Sequence, residues 1–164
     1  MNAKRYKYEG ESDKQPYHYT ECGLDDVYLI GGYEVEKTPY GEAVSVKNAD
    51  ELHEVIGFHL AIDRKVLAGK ELRFLRNQMG LTQAELGRRL GQTSQSVARW
   101  EKQDICDSNT SAELLVRLLY LDHLGKMPKS ITALLEKIEE TDAADNGKHL
   151  FERKSGGWKP RLAA

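Results

Sequence analysis

Leu72-Arg73-Phe74-Leu75-Arg76-Asn77-Gln78-Met79-Gly80-Leu81-Thr82-Gln83-Ala84-Glu85-Leu86-Gly87-Arg88-Arg89-Leu90-Gly91-Gln92-Thr93-Ser94-Gln95-Ser96-Val97-Ala98-Arg99-Trp100-Glu101-Lys102 decides the fold. Glycines punctuate it. A helix over Lys70 to Met79 ends at Gly80, a natural C-terminal stop. Thr82 has the short oxygen side chain of an N-cap and begins a helix to Leu90, which stops at Gly91. Thr93 or Ser94 caps the next helix, to about Lys102. Two short helices therefore meet at a tight turn centred on Gly91. The small residues Ala84 and Gly87 let them cross closely. Leu86, Leu90, Val97 and Trp100 form the shared core, with Trp100 as a core residue rather than a stacking platform. The outer face of the second helix is polar: Ser94, Gln95, Ala98, Arg99 and Lys102. A recognition helix presents such a face to a DNA groove.

Charge distribution points the same way. The whole chain carries −2. Residues 69–103 hold seven basic residues (Lys70, Arg73, Arg76, Arg88, Arg89, Arg99, Lys102) and three acidic ones (Glu71, Glu85, Glu101), a net of +4. A basic module on an otherwise acidic chain is the footprint of a phosphate-binding surface. Arg88 and Arg89 fit either a solvated face or phosphate contacts.

The pattern Leu81-Thr82-Gln83-x-x-Leu86-Gly87-x-x-Leu90-Gly91, then Ser96-Val97-x-Arg99-Trp100-Glu101, resembles the Cro and phage-repressor (Xre-type) helix-turn-helix family. The resemblance implies double-stranded DNA as the partner. It implies that Gln83 binds a DNA phosphate, that Ser94, Gln95 and Arg99 face base edges, and that Ser96 touches backbone. Thr93 and Lys102, at the two ends of the same helix, complete the expected DNA-binding set. Arg76 and Glu101 are implied to pair as a partly buried ion pair fixing the first helix against the third. Gln92 stands where the family commonly has an aliphatic residue. The side-chain chemistry agrees: glutamine can bond adenine in bidentate fashion, and arginine guanine, in the major groove. Phosphate contacts set register, and base contacts set preference.

Outward from this segment the chain changes character. Residues 1–20 are polar and tyrosine-rich, and are expected to begin as a flexible arm. Val27-Tyr28-Leu29-Ile30 is a β-type run, Tyr33-Glu34-Val35-Glu36 alternates, Thr38-Pro39-Tyr40-Gly41 has turn chemistry, and Glu42-Ala43-Val44-Ser45-Val46 alternates again. A small antiparallel hairpin or three-stranded meander is predicted. Asn48, with Glu51 three residues on, reads as a capping box opening a helix to about Ala68, where Gly69 breaks or bends it. After the motif, Asn109 or Ser111 starts an apolar helix (Leu114, Leu115, Val116, Leu118, Leu119, Tyr120, Leu121, Leu124) that Gly125 and Pro128 stop. Ser130 begins a last one through Ile131, Leu134, Leu135 and Ile138. From Thr141 the chain reads as a loose tail.

The order of β-module, linking helix and helix-turn-helix resembles the MqsA-type antitoxins. The residues concerned are Tyr19-Thr20-Glu21-Cys22-Gly23-Leu24, Val27-Tyr28-Leu29, Gly32-Tyr33 and Gly69-Lys70-Glu71-Leu72-Arg73-Phe74-Leu75-Arg76. This implies an autoregulating antitoxin with a toxin as partner. The zinc-binding relatives use two Cys-x-x-Cys pairs. Here Cys22 stands alone, with His18 and Glu21 nearest, and a structural zinc takes four ligands. No metal and no cofactor are expected, and the β-module is expected to fold without metal or to dimerise.

Other classes lack their signatures. His18, His53, His59, His123 and His149 form no HExxH motif, and there is no GxSxG motif or phosphate-binding loop, so no enzyme is expected. Asp25-Asp26 reads as turn chemistry. No apolar run approaches the roughly 20 residues that span a bilayer. Met1 to Lys7 is basic without a following apolar segment, so the expected location is the cytoplasm, with Cys22 and Cys106 reduced.

The expected fold is mainly α: a five-helix repressor-type helix-turn-helix domain with a small N-terminal antiparallel β-module. The expected division is residues 1–47 for the β-module with its arm, 48–68 for a linking helix, 69–140 for the DNA-binding domain and 141–164 for a flexible tail. The expected function is sequence-specific regulation of transcription by a homodimeric repressor, with half-sites about one DNA turn apart. The apolar helices after Asn109 are the candidate dimer surface. The alternative is a protein-interaction module that binds and neutralises a toxin through its N-terminal half.

Overall fold

The computed structural model describes residues 7–9, 16–103, 110–141 and 148–161. Five strands come first: β1 (Lys7–Glu9), β2 (Tyr17–His18), β3 (Val27–Ile30), β4 (Tyr33–Thr38) and β5 (Gly41–Val46). Six helices follow: α1 (Ala49–Asp63), α2 (Gly69–Gln78), α3 (Gln83–Leu90), α4 (Ser94–Glu101), α5 (Thr110–His123) and α6 (Ile131–Glu140). Two more strands, β6 (His149–Lys154) and β7 (Gly157–Arg161), close the order. The fold is mainly α with a small antiparallel strand module at the N-terminus, and α2 to α6 are the five helices expected. Cys106 and Asn109 lie outside the described residues, as does most of the N-terminal arm. Among the described residues, no helix is long and apolar enough to cross a membrane.

The strands form two sheets rather than one meander. β4 and β5 make the expected hairpin, and β1 pairs with β4 on its other side, all antiparallel. β3 leaves that sheet because Gly31 and Gly32 both take positive φ, 68° and 72°, and swing the chain away between β3 and β4. β3 instead lies between β2 and β6, in the order β2-β3-β6-β7. The β3–β6 pair is parallel, with Leu29 opposite Phe151.

That pairing corrects the expected loose tail. Residues 149–161 form a hairpin whose Phe151 and Trp158 are 1% and 3% exposed. Trp158 Nε1 donates to the Lys47 carbonyl at 2.8 Å, and the His149 N–H donates to the Asp26 carbonyl at 2.7 Å. Two buried aromatic side chains and a completed ladder outweigh the polar composition of the segment.

Helix α1 also departs from its expected form. Asn48 takes a left-handed conformation (φ 50°) and makes no side-chain cap. Its Nδ2 donates instead to Glu51 Oε2 at 2.9 Å. The helix stops at Asp63, before the expected Ala68, because Arg117 of α5 captures the backbone there. Arg117 is 1% exposed. Its Nη1 donates to the Ala61 carbonyl at 2.9 Å, and its Nη2 to the Lys65 carbonyl at 3.2 Å and to Glu113 Oε1 at 2.7 Å. Glu113 Oε1 also accepts the Leu67 N–H at 3.2 Å. Next along, Arg64 Nη2 reaches Glu71 Oε1 at 2.9 Å, and Glu71 Oε2 accepts the Ala68 N–H at 2.8 Å. Burial pushes the Glu71 carboxyl up, against the opposing pull of Arg64 and of the Ala68 N–H. These bonds satisfy the Ala61 and Lys65 carbonyls and the Leu67 and Ala68 N–H groups inside the protein.

Helix α1 is a central packing element. It buries Leu52, Ile56, Gly57, Leu60 and Ala61 and packs against β7, α2, α5 and α6. One apolar core runs from Tyr19, Val27 and Leu29 through α1 to Leu86, Val97 and Trp100.

Two substitutions test this packing. Arg117→Ala leaves Glu113 buried without its cation and should cost about 3–5 kcal/mol in urea unfolding. Trp158→Ala should cost about 3–5 kcal/mol in the same measurement. An unchanged midpoint for the tryptophan variant means that the hairpin is not docked.

Candidate nucleic-acid interface

The motif is built from caps and close contacts. The Thr82 hydroxyl accepts the Glu85 N–H at 3.1 Å, and Glu85 Oε2 accepts the Thr82 N–H at 2.7 Å. This reciprocal box starts α3. The hydrogen bonds to Thr82 hold the Glu85 carboxyl below the usual carboxylate range. Gly91 ends the helix at φ 65°, and the Gln92 N–H bonds back to the Gly87 carbonyl at 2.8 Å. A Cβ on Gly87 would lie 2.8 Å from the Gln92 carbonyl oxygen, so glycine permits the tight turn. Gln92 thus enters the turn through its backbone. Thr93, not Ser94, caps α4: its hydroxyl accepts the Ser96 N–H at 3.1 Å.

Leu86, Val97 and Trp100 are buried between the helices, and Leu90 packs partly buried against them. Trp100 is therefore core. Gly69 is the first residue of α2 rather than the breaker of a preceding helix. Its N–H bonds the Gln103 carbonyl at 3.0 Å, and a Cβ there would lie 2.3 Å from the Trp100 carbonyl oxygen. The start of α2 therefore rests directly on the end of α4.

Arg76 and Glu101 lie together, both nearly buried. Arg76 Nε and Nη2 donate to the two Glu101 carboxylate oxygens, the second at 3.1 Å, and Nη1 donates to the Leu81 carbonyl at 2.7 Å. A bidentate fork of this kind fixes orientation as well as distance. It ties α2, the α2–α3 turn and α4 together. Gln83 joins the cluster: its Nε2 donates to Glu101 Oε2 at 2.8 Å. The motif spacing gave no sign of that bond, which spans eighteen positions and forms only once the helices cross.

The remaining site residues lie along α4. Gln95, Arg99 and Lys102 are exposed, while Ser94 and Ser96 are half-buried. The Ser94 hydroxyl donates to Gln95 Oε1 at 3.2 Å, and the Thr93 hydroxyl donates to Ser96 Oγ at 3.1 Å. Arg73, Arg88 and Arg89 are exposed as well. With Arg76 engaged by Glu101, the exposed positive charge of the segment lies on α2, α3 and α4.

The single-cysteine region holds no ligand cluster. The Cys22 thiol donates to the Tyr19 carbonyl at 3.4 Å, and burial raises its pKa. Glu21 accepts the Tyr17 hydroxyl, and the His18 ring bonds the Asp25 carbonyl. Among the described residues, no group of three His, Cys, Asp or Glu side chains is placed to hold a metal ion.

Residues 72–119 match the family model described as helix-turn-helix. The match begins in α2 and ends in α5. Over this segment the chain is similar to helix-turn-helix domains of the Xre/Cro type, which supports DNA binding and transcription regulation. Comparison with curated proteins and with solved structures finds no match.

Glu101→Ala tests the internal support of the motif. It strands the Arg76 guanidinium in a nearly buried position and should cost about 3–5 kcal/mol of stability, read by thermal or urea unfolding. A loss below about 1 kcal/mol would show that the pair behaves as an exposed one.

Proposed function

We propose that this protein is a sequence-specific DNA-binding repressor that inserts α4 into the major groove. The observation that carries the reading is the contrast between the two sides of α4. Its inner side is fixed by Val97, Trp100 and the Arg76–Glu101 fork. Its outer side leaves Gln95, Arg99 and Lys102 exposed. A rigid helix with an exposed amide and guanidinium suits base-edge recognition. Ser94 and Arg99 join Gln95 at base edges. Thr93, Ser96 and Lys102 contact backbone.

Gln83 belongs to the phosphate set. Its amide is anchored on Glu101, at the start of α3, where helix N–H groups and the helix dipole favour an anion. The protein acts as a dimer on paired half-sites. Leu115 of α5, Met127 after it and Ile131 of α6 are exposed large apolar side chains, and their exposure supports α5 and α6 as the dimer surface.

The first test is salt-dependent binding of the purified protein to the DNA upstream of its own gene, against a scrambled duplex. A large preference identifies an autoregulator. Equal weak binding to both, falling steeply with salt, means phosphate contact alone. Once a site is known, Arg99→Ala or Gln95→Ala should weaken it by roughly 1–3 kcal/mol and relax preference at one base position. Gln83→Ala should weaken all sequences by about the same factor. Wild-type affinity in both α4 variants would show that the register on DNA is wrong.

A further inference from the structure

Residues 148–161 carry Lys148, Arg153, Lys154, Lys159 and Arg161 against one acidic residue, Glu152. All five cations are exposed. The strand register places most of them on one side. Leu150 pairs with Arg161, Glu152 with Lys159 and Lys154 with Gly157. Directly paired residues share a face, and neighbours along a strand alternate. Phe151 and Trp158 therefore take the opposite face, where both are buried and Phe151 meets the His59 ring of α1 at 5.7 Å.

The neighbouring strands continue the outer face, with Tyr28 beside Leu150 and His18 beside Tyr28. The Tyr28 ring stacks on His18 at 4.5 Å, and Lys148 Nζ stands 4.9 Å from its centre. Glu152 is met by Lys154 Nζ at 3.0 Å. Glu51 of α1 also sits here, its carboxylate against Gly157, so the outer face carries four cations against two carboxylates, a net positive face in a chain of net charge −2.

A short run of contacts joins that face to the end of α4. The Gln103 carbonyl, next to Lys102, accepts the Gly69 N–H at 3.0 Å. The adjacent Lys70 pairs with Asp25 at 2.7 Å, which offsets that carboxylate. The adjacent Asp26 carbonyl accepts the His149 N–H at 2.7 Å, beside Lys148.

We propose that the basic outer face of the β2-β3-β6-β7 sheet is a second phosphate-contact surface for duplex DNA, which extends the contact made by α4 along the flank of its site. The proposal rests on the reading of α4 as the recognition helix. Flank phosphates carry no base information, so the face adds affinity and salt dependence without adding sequence preference.

The test compares the full-length protein with its Lys154→Gln/Lys159→Gln/Arg161→Gln variant. All three positions are exposed, and an unchanged emission spectrum of the two tryptophans and an unchanged unfolding midpoint confirm the fold. Binding is measured over a salt series on three duplexes: the selected site with flanks, the site trimmed to the α4 footprint, and a random duplex of the longer length. On the long duplexes, the slope of log K against log salt should become shallower by roughly 0.9 for each phosphate that the variant no longer neutralises. The ratio of specific to random binding should hold, and the hydroxyl-radical footprint should shorten at the flank. On the trimmed site the two proteins should bind alike. Equal slopes and footprints on the flanked site would overturn the proposal. If the wild-type protein prefers no duplex, the α4 reading fails, and the slopes on the random duplex still decide the basic face.

Discussion

A single buried guanidinium ties α5 to the end of α1. Arg117 sits on α5, yet its hydrogen bonds end in the last turn of α1 and in the segment that follows. A charge so buried persists only when every donor has an acceptor nearby. The carbonyls of Leu60, Ala61 and Lys65 and the carboxylate of Glu113 take the four N–H donors of Nη1 and Nη2. In return the guanidinium terminates α1 and sets where α2 begins. The position of α2 in turn fixes Arg76, and Arg76 fixes Glu101 at the end of α4. The placement of α4 thus depends on a chain of buried ion pairs that starts far from its exposed residues Gln95 and Arg99.

Much of the helical half was legible in the sequence because its signals are local. Thr82 with Glu85, Gly91, and Ser130 act over three or four residues, and each takes its expected place in the structure. The β4–β5 hairpin was legible for the same reason. What stayed hidden depends on partners distant in the chain. Phe151 and Trp158 look stranded in a polar tail until Leu29 and α1 supply the surface that buries them. Asn48 has the right chemistry for a cap but the wrong backbone conformation. Arg117 is the visible clue to the end of α1: a lone basic residue in an apolar helix, four residues from Glu113.

The site residues divide along the same line. The polar face of α4 follows from helical spacing alone. The Arg76–Glu101 fork came through resemblance to a family, and the structure shows it as a bidentate contact. The bond between Gln83 and Glu101 could not be read from spacing, because it exists only when α3 and α4 cross. It gives the amide an internal anchor, so a residue expected to face phosphate alone also belongs to the scaffold beneath the exposed side of α4.

The parallel pairing of β3 with β6 also bears on the order of assembly. Leu29 waits for Phe151, which is made long after it. Closing so long a loop is slow compared with forming the local contacts of α2 to α4. During synthesis helices α2 to α4 can thus form while one edge of β3 still lacks its neighbour. An unpaired strand edge is a template for another chain. The β6–β7 hairpin therefore acts as an intramolecular guard, withdrawing from solution an edge that the nascent N-terminal half exposes.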